Sequence, residues 1–277
     1  MTEYVEVTGG RIAYEVTGEG PLVVLAPGMG TTRNAYRFLL PKIVAAGYRV
    51  ATVDLRGHGE SSMGFTSYTR TDVANDLLAV IRQIGGPAIV VGNSFSGGSA
   101  TIMAATAPAE ITAIVEMCPF TRVPKVDVMA LLRNPRHRKG VLLLLRTAMT
   151  GSVNTWLRYL DHAYPGTKPA DYDTNLAELV VNLRAGAITA ARKMGMSQPK
   201  DAQAQLPNVH CPALIMMGTL DPDWPDPQAE AEGIVAGMPE GVARYVMIEG
   251  AGHYPHVQYP DQVADALLPF LAEHAHA

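Results

Sequence analysis

The chain has 277 residues, 22 Lys and Arg against 26 Asp and Glu (net −4 with histidine neutral), and 48 % hydrophobic residues. That size suits one large α/β domain with an insertion, and the mild acidity excludes a general attraction to nucleic acid. Its two cysteines, Cys118 and Cys211, stand in no metal or redox spacing, and apolar runs such as 141–145 are too short to span a bilayer.

The first residues, Met1-Thr2-Glu3-Tyr4, carry neither a basic segment nor an apolar run, so the expectation is a cytoplasmic protein without a secretory signal. Tyr4–Thr8 and Arg11–Val16 alternate apolar and polar residues around Gly9-Gly10, which predicts an antiparallel hairpin at one edge of a sheet. Leu22–Ala26 is continuously apolar, the pattern of a strand buried on both faces. It runs into Pro27-Gly28-Met29-Gly30, a loop whose glycines allow close backbone approach to a ligand. A helix is expected over 34–46, bent at Pro41. Tyr48–Val53 reads as the next strand, Asp54-Leu55-Arg56-Gly57-His58-Gly59 as the loop after it, and Thr71–Ile84 as an amphipathic helix.

Ala88–Val91 is another apolar strand, followed by Gly92-Asn93-Ser94-Phe95-Ser96 and a small, helix-forming run from Gly97. A serine on so sharp a strand-to-helix turn needs small residues two before and two after it, here Gly92 and Ser96. Such a turn lifts the hydroxyl above the sheet and aims the first free N–H groups of the helix at whatever it attacks. The same pattern also occurs in ordinary βα turns, so the pentapeptide alone leaves both readings open.

Ile111–Val115 continues the βα alternation, which then breaks. Residues 120–203 show only helical periodicity, at Val126–Leu132, Val141–Ala148, Val153–Tyr159 and Leu176–Arg192. The strands Ala213–Met217 and Ala243–Ile248 resume the alternation, with helices near 227–236 and 260–272. We therefore expect a core domain of residues 1–119 and 204–277 and a helical cap of residues 120–203. Between Phe120 and Leu160 lie eight basic residues (Arg122, Lys125, Arg133, Arg136, Arg138, Lys139, Arg146, Arg158) and one acid, Asp127. They read as a solvated face, or as a contact for an anionic group or a carrier protein. The apolar Met129, Leu131, Leu132 and Val141–Leu145 are expected mostly to pack on the body, with some facing a pocket.

Four marks together resemble the α/β-hydrolase superfamily: the Gly92-to-Ser96 elbow, Asp54-x-Arg56-Gly57-x-Gly59, Gly218-Thr219-Leu220-Asp221 and Gly252-His253. The resemblance covers nearly the whole chain outside the cap. It implies a mostly parallel sheet flanked by helices, with Ser94, Asp221 and His253 meeting above its carboxyl edge. In that arrangement His253 takes the serine proton, Asp221 fixes the imidazole tautomer, and the Met29 and Phe95 N–H groups hold the oxyanion. Two residues depart from the family pattern: Pro27 replaces the usual histidine, and Ser96 the usual glycine. Ser96 itself passes the small-residue test, but Ser94 has the shorter, family-like spacing from the strand. Glu116 is the alternative carboxylate.

Other polar residues read as structural. Asp54, Arg56 and His58 look like a supporting turn, and Asp223 and Asp226 like turn and cap residues. His253 and His256 would share a face only on a helix, with Pro255 between them, and His274 and His276 fall in a tail. No metal or cofactor is expected. The leading expectation is a serine hydrolase acting on an ester, thioester or related acyl bond of a mostly apolar small molecule. Met129, Arg136, Arg138 and Leu144 are its candidate substrate contacts. Carbon–carbon bond hydrolysis, a cyclase or lyase, and a non-catalytic ligand-binding homologue are the alternatives.

Overall fold

Side-chain alternation along the central strands sets the two layers of the core. In β3 (Leu22–Ala26) and β5 (Ala88–Asn93), Val23, Leu25, Ile89 and Val91 face one layer, while Leu22, Val24, Ala26, Ala88 and Val90 face the other. The computed structural model describes residues 1–125 and 127–275, so Val126 and His276 lie outside the described residues. With β1 (Glu3–Val7), β2 (Gly10–Thr17), β4 (Arg49–Val53), β6 (Ile111–Met117), β7 (Ala213–Gly218) and β8 (Ala243–Ile248), these strands form one sheet. Its order is β1-β2-β4-β3-β5-β6-β7-β8. The β1–β2 and β2–β4 pairs are antiparallel and the pairs from β4 through β8 are parallel. The N-terminal hairpin thus closes one edge.

Helices α1 (Leu40–Ala45), α2 (Arg70–Ile84) and α3 (Phe95–Thr106) come before β6. Thr69 and Asp72 close a capping box at the start of α2, with Asp72 N–H donating to Thr69 Oγ1 at 3.1 Å and Thr69 N–H to Asp72 Oδ2 at 2.7 Å. Between β6 and β7 the chain is helical: α4 (Val128–Arg133), α5 (Pro135–Thr150), α6 (Val153–Ala163), α7 (Tyr172–Asn182), α8 (Ile188–Met196) and α9 (Lys200–Gln205). Helices α10 (Pro227–Val235), α11 (Pro255–Gln258) and α12 (Pro260–His274) complete the chain. Ile43 of α1 and Val263, Leu267 and Leu271 of α12 pack into one layer. The apolar sides of α2, α3 and α10 fill the other. A third cluster joins Trp156, Tyr159, Leu160 and Leu183 to Tyr254 and Val257, and so seats the helices after β6 on the loop after β8.

Three helix expectations need correction. Pro41 does not bend a long helix; it sits in the first turn of the short α1, where its missing N–H leaves no bond unmade. The stretch 176–192 is two helices, because Gly186 at φ 135° breaks the path between α7 and α8. Helix α5 starts earlier than Val141, at Pro135, with the Asn134 side chain accepting from His137 N–H at 3.1 Å.

Candidate active site

At the end of β5 the chain turns into α3 through Ser94, held at φ 56° and ψ −114°. Such a conformation persists in a residue with a side chain only where its surroundings enforce it. They do so here: Ser94 N–H donates to Met117 O at 2.9 Å, and a Cβ added to Gly92 would fall 2.3 Å from Ser96 O. The Asn93 side-chain amide donates to Met117 O at 3.0 Å and to His253 O at 3.2 Å. The residue before Ser94 thereby ties down the loop that carries the histidine.

His253 and Asp221 lie in the loops after β8 and β7, adjacent parallel strands. His253 Nδ1 is 2.9 Å from Asp221 Oδ2, both side chains are buried, and this bond leaves Nε2 as the free, basic nitrogen. No hydrogen bond between the Ser94 hydroxyl and the ring is among those formed by the described residues. A second carboxylate shares the ring nitrogen: Asp223 Oδ2 is 3.2 Å from His253 Nδ1. Tyr159 of α6 donates to that same oxygen at 2.6 Å, and Asp223 N–H donates to Asp221 Oδ1 at 3.0 Å. Asp223 does lie in a turn, as expected, but its side chain also reaches the imidazole, a contact the sequence reading missed; Asp226 caps α10 through Ala229 N–H. Burial favours a neutral ring, but the Asp221 and Asp223 charges outweigh it and raise the His253 pKa. Burial, helped by the Asp221 charge, raises that of Asp223 against the pull of His253 and Tyr159.

Hydrogen bonds shape the loop after β3. Ser96 Oγ donates to Pro27 O at 2.6 Å, which joins the loop to α3 and occupies the rival hydroxyl. Thr31 Oγ1 donates to Gly28 O at 2.8 Å. His58 Nε2 accepts from Gly30 N–H at 2.9 Å while its Nδ1–H donates to Arg56 O at 3.0 Å. Burial pushes His58 down to about 4, so it is a neutral brace, and it supplies support that Pro27 lacks. The Met29 and Phe95 N–H groups donate to no acceptor among the described residues. Trp156 of α6 covers this loop, its Nε1–H donating to Gly30 O at 3.2 Å, and its ring stacks on Tyr159 at 5.0 Å. One helix, through positions i and i+3, thus touches both the loop after β3 and the second carboxylate. The amphipathic pattern of α6 was legible; the destinations of Trp156 and Tyr159 were not.

The remaining sequence candidates fall elsewhere. Glu116 is buried between the Thr101 and Thr121 hydroxyls, and burial pushes it up to about 7. Asp54 accepts from Arg33 N–H at 2.8 Å and Glu60 N–H at 3.0 Å, and Arg56 holds Asp76 through two bonds of 2.7 Å. His256 is buried against Tyr36, ring centroids 4.8 Å apart. His274 does not belong to a loose tail; it sits in the last turn of α12, packed on Phe270. Cys118 Sγ, Asp221 and His253 offer ligand atoms within 4.8 Å of one another. Burial and the Asp221 charge keep that thiol protonated, and it already accepts from Gly218 N–H and donates to Gly252 O, so it fits a neutral spacer better than a metal ligand. Of the expected substrate contacts, Leu144 packs in the Trp156 cluster, but Arg136 and Arg138 are exposed because the inner side of α5 is taken by Gly140 and Thr147, and Met129 of α4 is exposed as well. A cavity of about 550 Å³ is lined by Thr31, Arg33, Tyr164, Leu179, Asn182 and Tyr254, but by none of Ser94, Asp221 and His253.

A family model described as "Alpha/beta hydrolase family" matches residues 23–266. The chain belongs to the alpha/beta hydrolase family. Membership makes it an enzyme of that fold, and the sheet order and the parallel strands from β4 to β8 agree with it. The pimeloyl-[acyl-carrier protein] methyl ester esterase of Edwardsiella ictaluri is 28 % identical over 251 residues, 90 % of this chain and 92 % of that one. The proline iminopeptidase PfmaB of Pestalotiopsis fici is 22 % identical over 298 residues, 98 % of this chain and 99 % of its own. Among solved structures, the esterase EaEST of Exiguobacterium antarcticum has a TM-score of 0.80 at 20 % identity and covers 98 % of this chain and all of its own, a likeness of fold. Among the described residues of this family member, no helix is long and apolar enough to cross a membrane.

Proposed function

We propose that the chain is a serine hydrolase cleaving an ester, thioester or related acyl bond of a mostly apolar small molecule through an acyl-enzyme. The observation that carries this reading is the buried 2.9 Å bond from His253 Nδ1 to Asp221 Oδ2, in a loop tethered to the strained turn of Ser94. As Ser94 Oγ attacks the acyl carbon, His253 Nε2 takes its proton and the two carboxylates stabilise the imidazolium. The Met29 and Phe95 N–H groups receive the oxyanion, each such donor typically worth about 3 kcal/mol in the transition state. The imidazolium protonates the departing alcohol or thiol, and water then releases the acyl group by the same steps in reverse. Asp223 acts as a positioning residue: its charge makes the ring more basic, and its bond from Tyr159 links that charge to α6.

Residues 120–203 act as a cap on this reading. Ser94 is only 3 % exposed, so substrate enters when the cap shifts. Phe120, Leu143, Leu144 and Trp156 offer the apolar surface for the acyl group. A short-chain aryl ester tests the proposal. Ser94→Ala is expected to lose roughly 10⁴-fold in turnover. A fluorophosphonate is expected to label the Ser94 side chain. Equal turnover by both proteins, or labelling at Ser96, would refute the assignment.

A further inference from the structure

Helix α5 contains no acidic residue and four Arg or Lys: Arg136, Arg138, Lys139 and Arg146. Its buried residues, Gly140 and Thr147, mark the inner side, where a Cβ on Gly140 would come 3.0 Å from Pro222 O. At about 100° per residue, Leu142, Leu145 and Met149 fall on the opposite side, with Arg138, Lys139 and Arg146 around them. Those three apolar side chains are 58, 54 and 70 % exposed. Val128, Met129 and Leu132 of the adjoining α4 are 63, 51 and 65 % exposed. Of the residues expected mostly to pack on the body, Met129, Leu132, Leu142 and Leu145 are thus exposed, while Leu131, Val141, Leu143 and Leu144 are half-buried. Of the eight basic residues between Phe120 and Leu160, Arg122 pairs with Glu230 at 3.2 Å. The other seven have no ion-pair partner among the described residues, and Asp127, the single acid of this stretch, caps α4 through Ala130 N–H.

We infer that the α4–α5 face docks on an anionic lipid surface. Helix α5 lies in the interface, with Leu142, Leu145 and Met149 at the acyl boundary and Lys139 and Arg146 extended to the headgroup phosphates. A hydrophobic stripe bordered by unpaired cations is what an interfacial helix requires, and long basic side chains keep their heads in water while their stems cover apolar surface. An acidic protein partner fits less well. Protein interfaces carry about one hydrogen bond per 100–200 Å² and use pockets for anchoring side chains. Here the outward side chains from Arg138 to Met149 are apolar or cationic, and the 550 Å³ cavity takes no lining from α4 or α5. The inner side of α5 rests on the loop that holds Asp221 and Asp223, so lipid docked outside lies one helix from the acid loop. This holds whatever bond is cleaved there.

Co-sedimentation of the full chain with vesicles tests the assignment. Vesicles of one part phosphatidylglycerol to two of phosphatidylcholine are expected to bind it at least about tenfold more tightly than pure phosphatidylcholine, with the difference fading in salt. The double variants Leu142→Ser with Leu145→Ser, and Lys139→Glu with Arg146→Glu, are each expected to weaken binding about tenfold or more at an unchanged thermal midpoint. The wild-type comparison needs no variant. Absence of binding to the anionic vesicles overturns the inference, and so does binding indifferent to the leucine pair. Two further results overturn it in favour of a protein partner. One is a chain that ignores vesicles but binds an acidic acyl carrier protein; the other is a self-associated chain that the leucine variant makes monomeric.

Discussion

Asp223→Asn isolates the second carboxylate at the imidazole. With 3.2 Å between Asp223 Oδ2 and His253 Nδ1, and an effective dielectric constant of about 20, one full charge stabilises the imidazolium by roughly 5 kcal/mol, or between 3 and 4 pKa units. Two effects reduce that ceiling. Burial raises Asp223 itself, so it is partly protonated near neutrality, and the Tyr159 hydroxyl already absorbs part of its charge. A fall of about one to two units in the His253 pKa is the expected remainder. The base works only when neutral, so a raised pKa holds the acid limb of kcat/KM at higher pH, and removing Asp223's charge moves that limb down. The assay is the pH dependence of kcat/KM for a soluble aryl ester in wild type and variant. Asp221→Asn, which disturbs the tautomer, serves as contrast and is expected to cost about 10⁴-fold in kcat. An acid limb that stays in place while the rate falls equally at all pH would show that Asp223 only holds the loop, and would refute the electrostatic reasoning.

Other outcomes follow from single contacts. Ser96→Ala strands the buried Pro27 carbonyl, and denaturant titration is expected to show a loss of about 1–3 kcal/mol, with fluorophosphonate labelling retained. Trp156→Ala removes a buried indole and its bond to Gly30 O; a loss of about 3–5 kcal/mol is expected, read as a lower thermal midpoint. Glu116 has a folded pKa near 7 against an ordinary 4.5, so the fold prefers its protonated form. Its destabilising effect is absent below about 4.5, grows between the two values and is complete above about 7. Glu116→Gln is therefore expected to gain up to about 3 kcal/mol more at mildly alkaline pH than at pH near 4, in urea titrations at both.

The positions of the strands along the chain were legible, because hydrophobic period and turn chemistry act over a few residues. The choice of Asp221 and His253 in the loops after β7 and β8 came from the resemblance to a family, and the order of strands in the sheet from the tertiary structure. Leu22–Ala26 and Ala88–Val91 are apolar at every position because both faces are covered, and Gly92 is glycine because Ser96 O sits where a Cβ would be. Local pattern also fell short: it placed Asp223 in its turn but not against His253, and Gly186 hid inside a helical periodicity it interrupts. What the chain cannot express locally is which distant surfaces meet. Only packing of α6 on the loops after β3 and β7 brings Trp156 to Gly30 and Tyr159 to Asp223, 126 and 64 residues apart along the chain. The same packing decided that Leu142 and Leu145 face outward, since an apolar residue has no preferred partner until the fold supplies one.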